Sequence, residues 1–456
     1  MKSFESVGIW FLPDQPDKRV PGTLSFSVDD GFALRLSGAL TPHVFSLAKY
    51  SAIHGIVSES PYGKHISLFG CFADSLQLGI SGIALETIHA NYGFAGDEFI
   101  ESAEELFDGA ELHFRQLSTW FGYSGLKVAY KPEVQVSWKS PPEYTCHLAD
   151  ASLRTAFGLT IKGAPPLVSL EENASLSISG LDRCTAADID SRYAHPLRML
   201  LTFASDKIAW PERYSLLRRG PGRAYPVRFD RLHAPVRLDK SGGQKLPGNF
   251  LFLLRDVAAR FETFIQSWLH FTETHPDFCS IFFNTCYEEH GFVESRFASV
   301  MQAFELLLQD EAALDEETIC KFEKVRTAAL NSVSAPSLAY TMSLPSAVEL
   351  AMPTRVAKLM AEHWELIRGI VGTDAPHFID RLFSTRNYVA HRGPLPIGVI
   401  AGADLYWLQQ RVLAVIKVYV LGRLGFTQDA ISEIVTRNPT MNHLKTVKAP
   451  WAPAGP

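Results

Sequence analysis

Thr23-Leu24-Ser25-Phe26-Ser27-Val28-Asp29-Asp30-Gly31-Phe32-Ala33-Leu34-Arg35-Leu36-Ser37 decides how the first half of the chain is read. Leu24, Phe26 and Val28 alternate with serines, and the alternation resumes through Leu34 and Leu36 after Asp29-Asp30-Gly31. A period of two puts one set of side chains on each face of a strand, and Asp-Gly tolerates the backbone of a tight turn, so the stretch predicts a half-buried hairpin. Similar short runs recur at 66–72, 111–117, 126–130 and 133–138, and again at Leu176 and Ile178 beyond Glu171-Glu172-Asn173. Turn residues separate most of them. The pattern predicts antiparallel sheet, a sandwich or a distorted barrel, rather than alternating βαβ units.

The period changes after Pro247-Gly248-Asn249. Leu253, Leu254, Val257, Phe261, Phe264, Ile265, Trp268 and Leu269 fall at helical spacings and predict one long helix over 250–271. Phe297, Val300, Phe304, Leu307 and Leu308 repeat the pattern over 292–308, and further helices are predicted at 312–330, 353–370, 376–391 and 405–421. Pro353 is read at a first turn, where its missing N–H costs nothing. The fold class is therefore α+β: an antiparallel β-rich region over 1–240, then an all-α bundle over 241–456, with Ser241-Gly242-Gly243 as a linker or turn.

A chain of 456 residues has room for two to four domains at roughly 100–200 residues each, and 46% hydrophobic against 20% charged residues is a folded composition. Forty-three Lys and Arg against 49 Asp and Glu give a net charge of -6, so no overall basic field draws in polyanions. The six cysteines form no CxxC pair, and HExxH, EF-hand and Walker patterns are absent. The cysteines read as ordinary small residues in a reducing cytoplasm, with a disulfide or thiol-based active site as the alternative. No metal or cofactor is expected. No apolar run follows Met1 as a leader would require, and none approaches the roughly 18 residues that span a bilayer, so a soluble, cytoplasmic chain without membrane contact is expected.

Charge is uneven along the chain. Residues 97–111 hold seven acids and no Lys or Arg, a solvated face or a surface for a basic partner. Residues 213–245 hold nine cations against two acids, a local charge of +7, with Tyr214, Tyr225 and Phe229 interleaved. Arg218, Arg219, Arg223, Arg228 and Arg231 are the candidate RNA contacts there; a solubilising or interdomain surface is the other reading.

The chemistry-bearing stretch is Arg386-Asn387-Tyr388-Val389-Ala390-His391. Asn387 and His391, four apart, share a helix face, whereas Arg386 lies about 140° around from His391. Gly393 and Pro394 predict that the helix ends close to His391, leaving it accessible. Histidine moves protons near neutrality, arginine grips a phosphate through two N–H donors, and asparagine orients either by hydrogen bonding. These types suit cleavage of RNA by its own 2′-hydroxyl, giving a 2′,3′-cyclic phosphate; DNA lacks that nucleophile and no metal is demanded. One histidine does not readily serve both ends of an in-line reaction, so a homodimer that joins two sets is expected. By contrast the stripe Val356, Met360 and Trp364 reads as core, and His363 and His377 as surface or packed histidines.

Arg386 to His391 resembles the RNx3H form of the HEPN ribonuclease motif, and the helices around it resemble the ApeA-type HEPN domain. Gly8-Ile9-Trp10-Phe11-Leu12-Pro13, Pro21-Gly22-Thr23-Leu24-Ser25-Phe26 and residues 31–38 resemble the start of the ApeA N-terminal domain. Phe292-Val293-Glu294-Ser295-Arg296-Phe297, with Glu305 farther on, resembles the early HEPN helices. The resemblance implies an endoribonuclease of bacterial defence against phage, with Arg386, Asn387 and His391 as the catalytic set and tRNA as a family-level substrate. It implies that residues 1–240 sense or regulate, with a phage-derived protein as a trigger. The runner-up is a non-catalytic HEPN-type module for RNA or protein interaction.

Overall fold

A computed structural model describes residues 3–41, 48–78, 84–130, 133–164, 166–220, 222–233, 247–287, 291–311, 347–372, 374–391, 398–447 and 449, with single helical positions at 317, 320, 324 and 327. The chain forms two compact units, Met1–Pro247 with Leu253–Leu269, and Gly248–Phe252 with His270–Pro456.

In the first unit the quoted stretch is the hairpin of β2 (Gln15–Ser27) and β3 (Gly31–Ser37), in the register Leu24↔Leu34 and Phe26↔Phe32. Gly31 turns it with a φ of 76°, a conformation that favours glycine. β1 (Phe4–Leu12), β4 (Lys49–Val57), β5 (His65–Leu78) and β6 (Ala84–Ala90) complete a ring in the order β5-β4-β1-β2-β3-β6, closed where β6 pairs back onto β5. Closure leaves no open edge around the ring. The alternating residues Trp10, Leu24, Phe26, Phe32, Leu34, Ile53, Ile66 and Ile88 form one buried cluster.

β5 closes this barrel because it is long. His65–Phe69 pair with β7 (Tyr92–Gly96) and Phe72–Leu78 with β6, with a register shift between Ala73 and Ser75 inside the second pairing. From β7 the sheet continues through β15 (Val227–His233), β14 (Pro211–Arg218), β8 (Leu106–Phe114), β13 (Leu167–Thr185), β12 (Ser152–Ala164) and β11 (Thr145–His147), every pair antiparallel. β9 (Leu126–Ala129) and β10 (Gln135–Trp138) form a separate hairpin. The expected barrel-like antiparallel sheet is therefore present. Two local readings change: the run at 111–117 ends as a strand at Phe114, with Leu117 opening the short helix α1 (Leu117–Phe121), and Glu171-Glu172-Asn173 lies within β13.

Ala186–Ser205 was not read as helical, yet it forms α2 (Ala186–Ile189), a π-helical turn (Asp190–Ala194) and α3 (His195–Ser205). Its start is a capping box of Thr185 and Asp188. Leu197, Met199, Leu200, Leu201 and Phe203 are all buried, so α3 lacks the polar face that makes an amphipathic period visible.

The helix expected over 250–271 begins late. Leu253 is extended (φ -111°, ψ 166°), its N–H donates to the Asp256 carboxylate at 2.8 Å, and only then do α4 (Leu254–Val257), a 3₁₀ turn and α5 (Phe261–Thr274) follow. Phe250, Leu251, Phe252 and Leu253 are all buried, and such a run mimics helical spacing without being helical.

Beyond it the chain is helical: α6 (Pro276–Tyr287), α7 (Val293–Glu311), α8 (Ala347–Glu362), α9 (Trp364–Val371), α10 (Ala375–His391), α11 (Ala403–Arg423), α12 (Gln428–Arg437) and α13 (Pro439–Thr446). The helices expected at 292–308, 376–391 and 405–421 are α7, α10 and α11. The one expected over 353–370 is two, because the backbone breaks at His363 (φ -124°, ψ 19°), and Pro353, read at a first turn, lies inside α8, which begins at Ala347. The helix read at 312–330, apart from its single described positions, and the turn at Ser241-Gly242-Gly243 lie outside the described residues. No described helix is long and apolar enough to cross a membrane.

Candidate active site

α7 packs against both α10 and α11. Phe297, Val300, Phe304, Leu307 and Leu308 of α7 are buried, as are Phe378 and Leu382 of α10, and this fixes how the two helices face each other. Arg386 of α10 then meets Glu305 of α7. Its Nε donates to Oε1 at 2.8 Å and its Nη2 to Oε2 at 3.1 Å, a two-pronged pair that sets the plane of the guanidinium. Glu305 is the more enclosed partner, with 17% of its side chain exposed against 30% for Arg386. The remaining Nη1 donates to Asn387 Oδ1 at 3.2 Å.

Thr385, one residue earlier, is fully buried and accepts the Ile400 N–H at 3.0 Å, tying the chain beyond the motif back to α10. His391 is the last residue of α10 and exposed, as is Asn387. Among the described residues no hydrogen bond links His391 to Arg386 or Asn387. The stop expected at Arg392 to Pro396 lies outside the described residues. Thus Arg386, Asn387 and His391 share one helix, Arg386 is oriented, and His391 ends it in solvent.

The residues set aside as packing behave so. Val356 and Met360 are fully buried and Trp364 is partly covered. His363 Nδ1 lies 3.2 Å from Gln428 Nε2, edge-on to Tyr419, and burial lowers its pKa. The His377 backbone N–H donates to Asp374 at 2.8 Å. Burial pushes the thiols of Cys71 and Cys279 up to about 12 and that of Cys146 up to about 11, which makes all three poor nucleophiles. Among the described residues, no three His, Cys, Asp or Glu group to hold a metal ion.

The two charged runs meet. Arg218 pairs with Glu98 at 2.7 Å and with Glu105, and Arg223 pairs with Glu98. Arg228 reaches Glu111 at 2.7 Å, Arg213 makes two bonds to Asp230, and Arg231 reaches Asp190 at 3.1 Å. Arg219 is exposed and donates its backbone N–H to Asp108 at 2.6 Å. Of the five candidate RNA contacts, Arg219 and Arg223 are therefore the exposed ones. Arg237, Lys240 and Lys245 lie outside the described residues. Sequence reading took the acidic and basic runs separately; their opposite signs were the available signal.

Within this network His113, hydrogen-bonded at 3.1 Å, and then Arg228 hold the Glu111 carboxyl down to about 2 despite burial. A carboxyl held below its unfolded value stabilises the fold fully above that value, near 4.5, and the contribution is lost as pH falls toward about 2. Glu111→Gln is expected to flatten the dependence of unfolding free energy on pH between those limits, measured by urea titration. An unchanged slope would remove Glu111 as its source.

Residues 5–268 match the family model for ApeA N-terminal domain 1, and residues 298–430 match that for Apea-like HEPN. The second match spans Glu305 and the whole Arg386 to His391 stretch; the first spans both charged runs. No curated protein and no solved structure matches the chain.

Proposed function

The chain belongs to the ApeA family, with the two-domain architecture of an ApeA-type anti-phage protein and a HEPN-type, RNA-acting module, and from that premise we propose that it is a metal-independent endoribonuclease. The observation that carries this reading is the pair between Glu305 and Arg386, which presents an oriented guanidinium on the same helix that ends in the exposed His391. The 2′-hydroxyl of the RNA attacks the adjacent phosphorus as it loses its proton, and the bond to the 5′-oxygen breaks as that oxygen gains one. A 2′,3′-cyclic phosphate and a 5′-hydroxyl remain. His391 moves one of the two protons, Arg386 stabilises charge on the phosphoryl oxygens, and Asn387, which accepts a bond from Arg386 at 3.2 Å, orients the guanidinium or the phosphate. A second copy of the chain supplies the other histidine, so the active form is a homodimer.

On this reading the enzyme works in the cytoplasm, tRNA is the leading substrate, residues 1–240 hold the sensor, and a phage-derived protein releases activity. Arg219 and Arg223 are the arginines of the basic segment best placed to guide RNA, being exposed.

The test is to incubate the full chain with total cellular RNA, with and without lysate of phage-infected cells, in a strong chelator, and to map the ends. Cyclic-phosphate and 5′-hydroxyl ends are expected, together with no cutting of a substrate made 2′-deoxy at the cleavage site. Activity lost to the chelator, or cutting of the deoxy substrate, would sink the 2′-hydroxyl route. RNA bound but left intact in every condition would return the chain to an interaction module.

A further inference from the structure

Two ribbons of the first unit have long stretches with neither face buried. β9 and β10 pair only with each other among the described residues, and residues 127–130 and 133–137 are all exposed. The register Val128↔Val136 puts these two side chains on one side. Strand alternation carries Tyr130, Val134 and Trp138 to the same side and leaves Lys127, Gln135 and Ser137 on the other.

β12 and β13 run on as an arm past the strands that flank them. Pairing with β11 ends at Arg154 and pairing with β8 begins at Leu176, so residues 156–175 form a second ribbon. Its outer part, 161–164 and 166–169, is exposed throughout and carries Ile161, Leu167 and Val168. One carboxylate joins the two ribbons. Glu172 of β13 accepts from the Gly125 N–H and the Ser124 hydroxyl at 2.6 Å each, and from the Trp138 indole at 2.9 Å. Phe157 of β12 meets Phe121 of α1 with ring centres 5.0 Å apart. By register Phe157, Ile161, Val168 and Glu172 share one face of the arm, so the β9–β10 hairpin is rooted on the face that carries Ile161 and Val168.

A lone two-stranded ribbon is marginal in water, and an open edge with apolar side chains is a template for another chain. Val128, Tyr130, Val134 and Val136 of the hairpin, with Ile161, Leu167 and Val168 of the arm, are 47–79% exposed. At roughly 150–250 Å² for a whole large residue they present on the order of 800 Å², which matches the roughly 800 Å² that each partner contributes to a standard interface. Charge favours a second copy as that partner. The hairpin, residues 126–139, carries three lysines and one glutamate, and the arm, residues 156–175, one lysine and two glutamates. Opposite signs let the hairpin of one copy lie against the arm of another, and a two-fold axis makes that contact twice. RNA suits the surface less well, because the arm is acidic and its exposed apolar side chains are aliphatic.

We propose that the β9–β10 hairpin and the β12–β13 arm hold two copies of the chain together, hairpin on arm and arm on hairpin. The inference rests on the homodimer of the proposed reaction and names a surface that maintains it.

The test measures the mass of the full chain by sedimentation equilibrium at micromolar concentration, where a dimer is expected. Val136→Lys and Ile161→Lys place a charge at exposed positions of the two ribbons, and each is expected to raise the dissociation constant at least tenfold. Gln135→Lys, on the opposite face of the hairpin, is expected to change it by no more than about twofold. Val136→Thr keeps the β-branched shape that suits a strand and is expected to shift the constant in the same direction by less, which guards against a lysine that disturbs the ribbon. A wild-type monomer overturns the proposal. So does a dimer that Val136→Lys and Ile161→Lys leave intact, or a monomer that binds a different protein through these residues. RNA cleavage is read in parallel. A dimer that persists in both lysine variants, in a chain whose cutting His391→Ala stops, sinks the surface alone; variants that turn monomeric in a chain that cuts no RNA sink the enzyme alone.

Discussion

His391→Ala is expected to lower the rate of RNA cleavage by about 10²–10⁴-fold, the range for loss of a positioned proton-transfer group, while RNA affinity stays within a few-fold of wild type. The separation of the two effects follows from the geometry. Arg386 is held by Glu305 of α7, through bonds of 2.8 and 3.1 Å that do not involve His391, so the phosphate grip survives the substitution. His391 is exposed at the end of α10 and takes no part in the core, so the variant is expected to fold as wild type does. Single-turnover cleavage and filter binding on the same RNA measure the two quantities. A variant that cuts at the wild-type rate would remove His391 from the mechanism, and one that loses binding in proportion to cleavage would make it a contact residue. Glu305→Gln keeps the volume and one acceptor but gives up the charge and one prong. Its effect is expected to be smaller, up to about 10²-fold, because a misplaced group costs less than a missing one.

Legibility in the sequence followed locality. The β2–β3 hairpin was readable because its period and its Asp-Gly turn lie within fifteen residues, and α10 was readable because apolar spacing and the Gly-Pro stop bracket it closely. Barrel closure was not, since it depends on β5 pairing with β7 at one end and β6 at the other, and no local pattern records two partners for one strand. α3 was missed because burial on every side erases the contrast that a period needs. The run 250–253 is misleading for the opposite reason: apolar residues packed in a non-helical segment carry the same composition as a helix face.

The site divided in the same way. Arg386, Asn387 and His391 are consecutive enough for chemistry to suggest them together, whereas Glu305 lies 81 residues earlier than Arg386 and entered only through resemblance. The basic segment was legible as charge but not as partners. Arg218 meets Glu98 across 120 residues, and only the fold reveals that much of the apparent +7 field is answered from within the protein.

Arg411→Ala is expected to destabilise the helical unit by about 3–6 kcal/mol, a large share of the about 5–15 kcal/mol that holds a typical domain together. Arg411 lies on α11 and is fully buried, and burial lowers its pKa only to about 10, so it stays charged at neutral pH. Its Nη1 donates to the carbonyls of Ile370 and Leu444, the latter at 3.0 Å, and its Nη2 to the Val447 carbonyl at 2.8 Å. Ile370 is in the last turn of α9, Leu444 in the last turn of α13, and Val447 caps α13. Carbonyls at helix C-termini have no intrahelical partner and carry the negative end of the helix dipole, so one guanidinium satisfies two helix ends at once. Without it the Ile370 and Leu444 carbonyls, whose bonds to Arg411 are buried, each cost about 1–3 kcal/mol, and the half-buried Val447 carbonyl less. Arg411→Met restores much of the volume but no donor, and is expected to recover only the packing part of the loss. Urea unfolding monitored by helical circular dichroism measures both variants, and a Met variant as stable as wild type would show that the carbonyls do not depend on the guanidinium. The same pair of experiments separates architecture from chemistry: cleavage by Arg411→Ala should fall in step with the folded fraction, whereas His391→Ala should lose cleavage in a fully folded chain.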